Sequence, residues 1–120
     1  MAPWILSNAE LDSIRSLTPY ATASELELLY QAVACSSPRA FAMATSRGQW
    51  KTARHLDLLN DALVDVALGK TPRLLITMPP RHGKSLLTSQ YFPAWYLGNY
   101  PARRVILASY EADFAAGWGR

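Results

Sequence analysis

The stretch "RLLITMPPRHGKS", Arg73 to Ser85, decides how the chain is read. It opens on a mainly apolar run, Leu74 to Met78 with Thr77 within it, and closes on Gly83-Lys84-Ser85. An apolar run without polar alternation fits a strand buried on both faces of a parallel sheet. The residues that follow predict a helix from about Lys84 to Leu97, capped by Gly98. Pro93 predicts a kink or a fresh turn within that helix. Strand, loop and helix in this order have the logic of a phosphate-binding loop. Backbone N–H groups and the helix N-terminus face the phosphates. A lysine adds a point charge and a hydroxyl holds Mg²⁺. Here the glycine is Gly83, the lysine Lys84 and the hydroxyl that of Ser85.

The full eight-residue pattern, spanning 78–85, asks for glycine where Met78 stands, and Pro79 and Pro80 follow it. The bare pattern therefore fails at its first position, and the flanking elements carry the argument. An ordinary strand-to-helix turn is the plain alternative. Arg81 lies within reach of a transferring γ-phosphoryl group, where an arginine stabilises developing charge. An exposed arginine in salt bridges is the other reading. His82 either touches phosphate or lies on the surface, and the surface is the simpler reading.

Outward from the loop, "RRVILAS", Arg103 to Ser109, predicts a second buried strand, and "EADFAAGWGR" starts a further helix. Upstream, Leu56, Leu59, Leu63, Val66 and Ala67 share one face of a helix from about Thr52 to Leu68, with Gly69 as its cap. "TSRGQWK" around Gly48 reads as a loop. Thr22 and Glu25 have capping-box spacing ahead of a helix from about Ser24 to Cys35. Ser36-Ser37-Pro38 breaks it and places Pro38 at the first position of a third short helix. Ser7 and Glu10 repeat the capping-box spacing before Leu11, Ile14 and Leu17, and Thr18-Pro19 ends that first helix. The expected fold is α/β: a P-loop NTPase-type parallel sheet fragment of about two strands with flanking helices, preceded by an N-terminal helical segment. Residues 1–49 form the helical segment and 50–120 the partial ATPase domain.

Bulk properties bound the function without naming it. The chain has 120 residues, is 50% hydrophobic and 18% charged, and carries a formal net charge of +3. This is globular composition. The mild basic excess permits a polyanion partner but is scattered, with Arg103-Arg104 its adjacent pair. Cys35 is alone, which excludes an internal disulfide and fits a small core residue. The N-terminus lacks a basic n-region, and no apolar run approaches the roughly 20 residues of a membrane span. The expected location is the cytoplasm.

The loop and its flanks resemble the N-terminal part of the large subunit of tailed-phage terminases, the ATPase that packages viral DNA into proheads. That family carries a variant Walker A loop with two prolines and a basic residue before Gly-Lys-Ser, as in "MPPRHGKS" here. "FPAWYLGNYP", Phe92 to Pro101, resembles the segment after the loop helix. "RRVILASYEADFAAGWGR" resembles the next strand and helix, and "HLDLLNDALVDVALGKTPR", His55 to Arg73, the helix leading in. The resemblance covers about Trp50 to Arg120. It implies that Met78 is a family trait rather than a defect. It also implies ATP and Mg²⁺ as cofactors, with Lys84 on the β- and γ-phosphates, Ser85 on Mg²⁺ and Arg81 sensing or stabilising the γ-phosphate. Pro79, Pro80, His82 and Gly83 complete the nucleotide loop. His55, or its neighbour Trp50, falls on the adenine side; a surface histidine is the alternative for His55. The implied partners are viral double-stranded DNA, the small terminase subunit and the portal, in the cytoplasm of a bacterial host.

A Walker B strand ending in Asp-Glu, the coupling motif and the nuclease are not found in these residues. "LVDVA", Leu63 to Ala67, precedes the loop on a predicted helix. The expectation is therefore a fragment, such as a prophage remnant, that binds nucleotide weakly without hydrolysing it. Two other readings stand beside it. One is a helicase-like P-loop ATPase acting on nucleic acid. The other is a non-catalytic module that keeps a phosphate nest without turnover. A DNA-binding module has little support, because no helix concentrates basic residues.

Overall fold

A computed structural model describes Ser16, residues 20–111, Asp113 and residues 116–117. The expected helix from Ser7 lies outside the described residues, and the one after Glu111 lies largely outside them.

Four α-helices follow in chain order: α1 Ala23–Ser36, α2 Pro38–Thr45, α3 Arg54–Ala67 and α4 Phe92–Asn99, with a π-helical segment at Leu86–Tyr91 running directly into α4. Thr22 starts α1 through the predicted capping box. Its hydroxyl accepts from the Glu25 N–H at 3.4 Å, and its own N–H donates to the Glu25 carboxylate at 2.8 Å. The Thr22 hydroxyl also donates to that carboxylate at 2.6 Å, and these bonds hold the Glu25 carboxyl below its ordinary range. A lowered carboxyl stabilises the cap above the unfolded-state pKa and loses that effect as pH falls through the folded one.

Ser37 is extended and separates α1 from α2. Pro38 takes the first turn of α2, where its missing N–H is harmless. The next orphan donors all find partners. The Ala40 N–H donates to the Ser37 hydroxyl at 3.1 Å, and the Arg39 N–H donates to the buried Asn60 side chain of α3 at 2.9 Å. The Arg39 guanidinium adds an ion pair to Asp57 at 2.6 Å. α3 ends in a Schellman motif. Gly69 is left-handed (φ +75°), its N–H donates to Val66, and the Lys70 N–H donates to Asp65.

Three residues of the predicted stripe on α3 enter the core, while Val66 and Ala67 stay half-buried outside it. Leu56, Leu59 and Leu63 are buried with Leu87 of the π segment, and Trp50, Ala53, Ile76, Met78, Tyr91 and Phe92 pack around them. Pro93 is accommodated by the wider π turn ahead of it rather than by a break. α4 closes back on α1. The fully buried Trp95 donates its indole N–H to the Cys35 carbonyl at 2.7 Å, satisfying one of the orphan acceptors at the end of α1. The Cys35 side chain itself is exposed, not a core residue as expected.

The expected α/β, P-loop NTPase-type parallel sheet is not formed. The described residues are helical, with no strand or sheet among them. Residues 73–79 and 103–109 have no helical or ladder assignment, and Leu75 and Ile106 are 90% and 93% exposed. The reason is a competition for apolar cover. A two-stranded parallel sheet would need both faces covered and would expose two edges. The helices instead bury their stripes against one another, and Ile76 and Met78 of the first run join that core from one side. No helix among the described residues is long and apolar enough to cross a membrane.

This packing makes a contrast that unfolding can measure. Leu87→Ala is expected to lower stability by about 2–5 kcal/mol, as for a buried leucine. Leu75→Ala, in the predicted strand, is expected to change it by less than about 0.5 kcal/mol. Urea unfolding followed by circular dichroism distinguishes them, and equal losses would restore the strand.

Candidate functional site

The loop rests on the start of α3. Gly83 is left-handed (φ +79°), and a Cβ there would meet the Leu56 side chain at 3.2 Å. Two constraints, backbone and space, therefore select glycine at this position. Arg81 is also left-handed (φ +64°), a conformation that disfavours a non-glycine residue. Together Arg81 and Gly83 reverse the chain within a few residues after Pro79-Pro80. Met78 is half-buried against the Leu56–Leu87 core, so the residue that departs from the glycine pattern anchors the base of the loop.

Beyond the turn, the helical ladder begins with the Leu87 N–H donating to the Gly83 carbonyl at 3.0 Å. The N–H groups of residues 83–86 precede that first bond, and such groups have no intrahelical acceptor. They concentrate partial positive charge at the head of the helix. Thr88 back-bonds to the Lys84 carbonyl at 2.9 Å, on the opposite side of the first turn from those donors.

Pro79, Pro80, Arg81, Gly83, Lys84, Ser85 and Leu86 line one cleft of about 350 Å³. This lies in the size range of small-ligand clefts. Six of the eight sequence-predicted site residues are thus brought together. Lys84 is half-buried, whereas Arg81 and Ser85 are exposed. Among the described residues, no carboxylate forms an ion pair with Arg81 or Lys84, while Arg39 and Lys70 pair with Asp57 and Asp65.

The other two predicted residues, His55 and His82, do not line this cleft. His55 Nε2 lies 3.2 Å from the His82 carbonyl, and His82 Nδ1 lies 2.8 Å from the Pro80 carbonyl. A carbonyl only accepts, so each of these nitrogens carries the hydrogen and donates. The imidazoles meet edge to face at 5.7 Å. Trp50 packs edge to face on Tyr91 and lies beneath Gly83 rather than open to a base. These contacts went unseen in the sequence because they join residues far apart in the chain. No periodicity or motif signals them.

No group of three or more His, Cys, Asp or Glu side chains that could hold a metal occurs among the described residues. Ser85 supplies a single hydroxyl oxygen. Another hollow, lined by Tyr20, Ala21, Glu25, Leu28 and Leu29, offers little chemistry, since its carboxylate is committed to Thr22. Compared with known proteins, the chain matches no family model, no curated protein and no solved structure.

The backbone at the turn sets opposite responses to substitution. Arg81→Gly is expected to raise stability by a few tenths to about 1 kcal/mol by relieving the left-handed residue. Gly83→Ala is expected to lower it by about 1–2 kcal/mol. Thermal unfolding of the two variants checks this; a loss in both would mean that the left-handed turn is not the strained element.

Proposed function

We propose that the Pro79–Ser85 loop binds the phosphates of ATP, and that the chain is the nucleotide-binding part of a DNA-packaging motor of the terminase large-subunit type. One observation carries the reading. Arg81, Lys84 and the residues at the head of a helix line one cleft, with no carboxylate paired to either cation among the described residues. The flanking sequence that resembles terminases adds the biological context. Support is therefore local to the loop and its flanks, and the helical architecture departs from the parallel sheet that the resemblance implies.

Within this proposal, Lys84 contacts the β- and γ-phosphates as a point charge. Arg81 approaches the γ-phosphoryl group from the exposed side of the turn. The Gly83, Lys84 and Ser85 N–H groups donate to the remaining anionic oxygens. Ser85 would offer its hydroxyl to Mg²⁺ bound with the nucleotide, where the ion would neutralise phosphate charge. The intact motor would act on viral double-stranded DNA together with a small terminase subunit and a portal, in the cytoplasm of a host bacterium.

Binding without turnover is the expected behaviour of this chain. Hydrolysis needs carboxylates on the metal and a group to orient the attacking water, and residues 86–120 contain no apolar run closing on Asp-Glu. A nucleotide-binding module that does not turn over is thus favoured over a helicase-like ATPase.

Calorimetric titration with ATP tests both parts. Lys84→Ala is expected to weaken binding by about tenfold or more, roughly 1.4 kcal/mol. Arg81→Ala is expected to weaken ATP more than ADP. Equal ATP affinity in wild type and Lys84→Ala would reduce the loop to a turn. Steady phosphate release abolished by Lys84→Ala would overturn the absence of turnover.

A further inference from the structure

We infer that His55 is a positioning residue for the anion site, fastening the loop so that its carbonyls turn away from the phosphates. This rests on the reading of Pro79–Ser85 as a phosphate loop.

The argument begins with the backbone. A tight loop presents both N–H and C=O groups, and an anion is repelled by each carbonyl left facing it. Two carbonyls of this loop are engaged. The Pro80 carbonyl accepts from His82 Nδ1–H at 2.8 Å, and the His82 carbonyl accepts from His55 Nε2–H at 3.2 Å. Neither imidazole lines the cleft that Arg81, Lys84 and Ser85 share. The two bonds are therefore made outside the cleft.

His55 is the member of this chain that belongs to another element. It lies 27 residues before His82, in the first turn of α3. Its neighbour Leu56 lies beneath Gly83. Consecutive residues of one helix thus hold the loop in two ways: Leu56 sets the height of Gly83 and His55 fixes the peptide before it. The left-handed Arg81 lies between the two tied carbonyls, in a conformation that needs outside support to persist. Orientation of the Gly83 N–H follows directly, since it shares a peptide plane with the His82 carbonyl and points the opposite way.

This role differs from a contact with adenine. A base contact acts only on nucleotides, whereas a positioning bond acts on any polyphosphate. The test is therefore titration of the full chain with inorganic tripolyphosphate and, in parallel, with ATP. His55→Leu removes the donor. His55→Gln keeps an amide N–H near the position of Nε2. The expected result is a loss of roughly threefold to tenfold in tripolyphosphate and ATP affinity for His55→Leu, the worth of one hydrogen bond. His55→Gln is expected to recover most of it, with melting temperatures close to wild type. Affinities unchanged in His55→Leu, while Lys84→Ala still weakens binding, would overturn the inference and leave the loop reading intact. A loss for ATP alone would place His55 on the base and also overturn it. So would a loss in both His55 variants accompanied by lower melting temperatures. Equal binding by Lys84→Ala and wild type would remove the loop reading itself.

Discussion

A carbon added at Gly83 would sit 3.2 Å from the Leu56 side chain, which would have to give by a few tenths of an ångström. The same leucine is buried with Leu59, Leu63 and Leu87 in the main core. The loop's shape and the protein's packing are thus one constraint. A shift of α3 would disturb the seat of Gly83, one of the residues that line the cleft. Met78 and Trp50 extend this coupling, since both pack on the same cluster from either side of the loop. A functional loop is more precise when it is seated on rigid elements than when it only joins them.

The local signals of the sequence read well where the physics is local. Thr22 and Glu25 form the capping box their spacing predicts, Pro38 opens α2 behind Ser37, and Gly69 ends α3 in a Schellman motif. Each depends on groups within a few residues of one another. The apolar face of α3 was legible for the same reason, since helical period is a property of one segment. The two apolar runs were not. Leu74–Met78 and Val105–Leu107 have strand-like composition, but a strand needs a partner and two covered faces, which composition does not supply. Helices won the available cover, and Leu75 and Ile106 stayed exposed.

At the candidate site the division is similar. Pro79 to Ser85 fall together because they are contiguous, and the sequence shows that directly. Met78 looked like a lapse in a glycine pattern, yet it is a packing residue at the base of the loop. The histidines carried no interpretable signal. Their hydrogen bonds depend on the relative placement of α3 and the loop: His55 reaches the His82 carbonyl and His82 the Pro80 carbonyl, whereas the sequence left each open between the nucleotide and the surface.

The central claim is that the head of the helix after Gly83 is an anion site and that the cations beside it serve that anion. Amide chemical-shift mapping with ¹⁵N-labelled protein tests it most directly. On addition of ATP the account expects the largest shifts at Gly83, Lys84 and Ser85, with Arg81 close behind. Residues 103–109 and the exposed face of α1 should remain near their starting positions. Shifts centred on those regions, or none at the loop at saturating nucleotide, would contradict it.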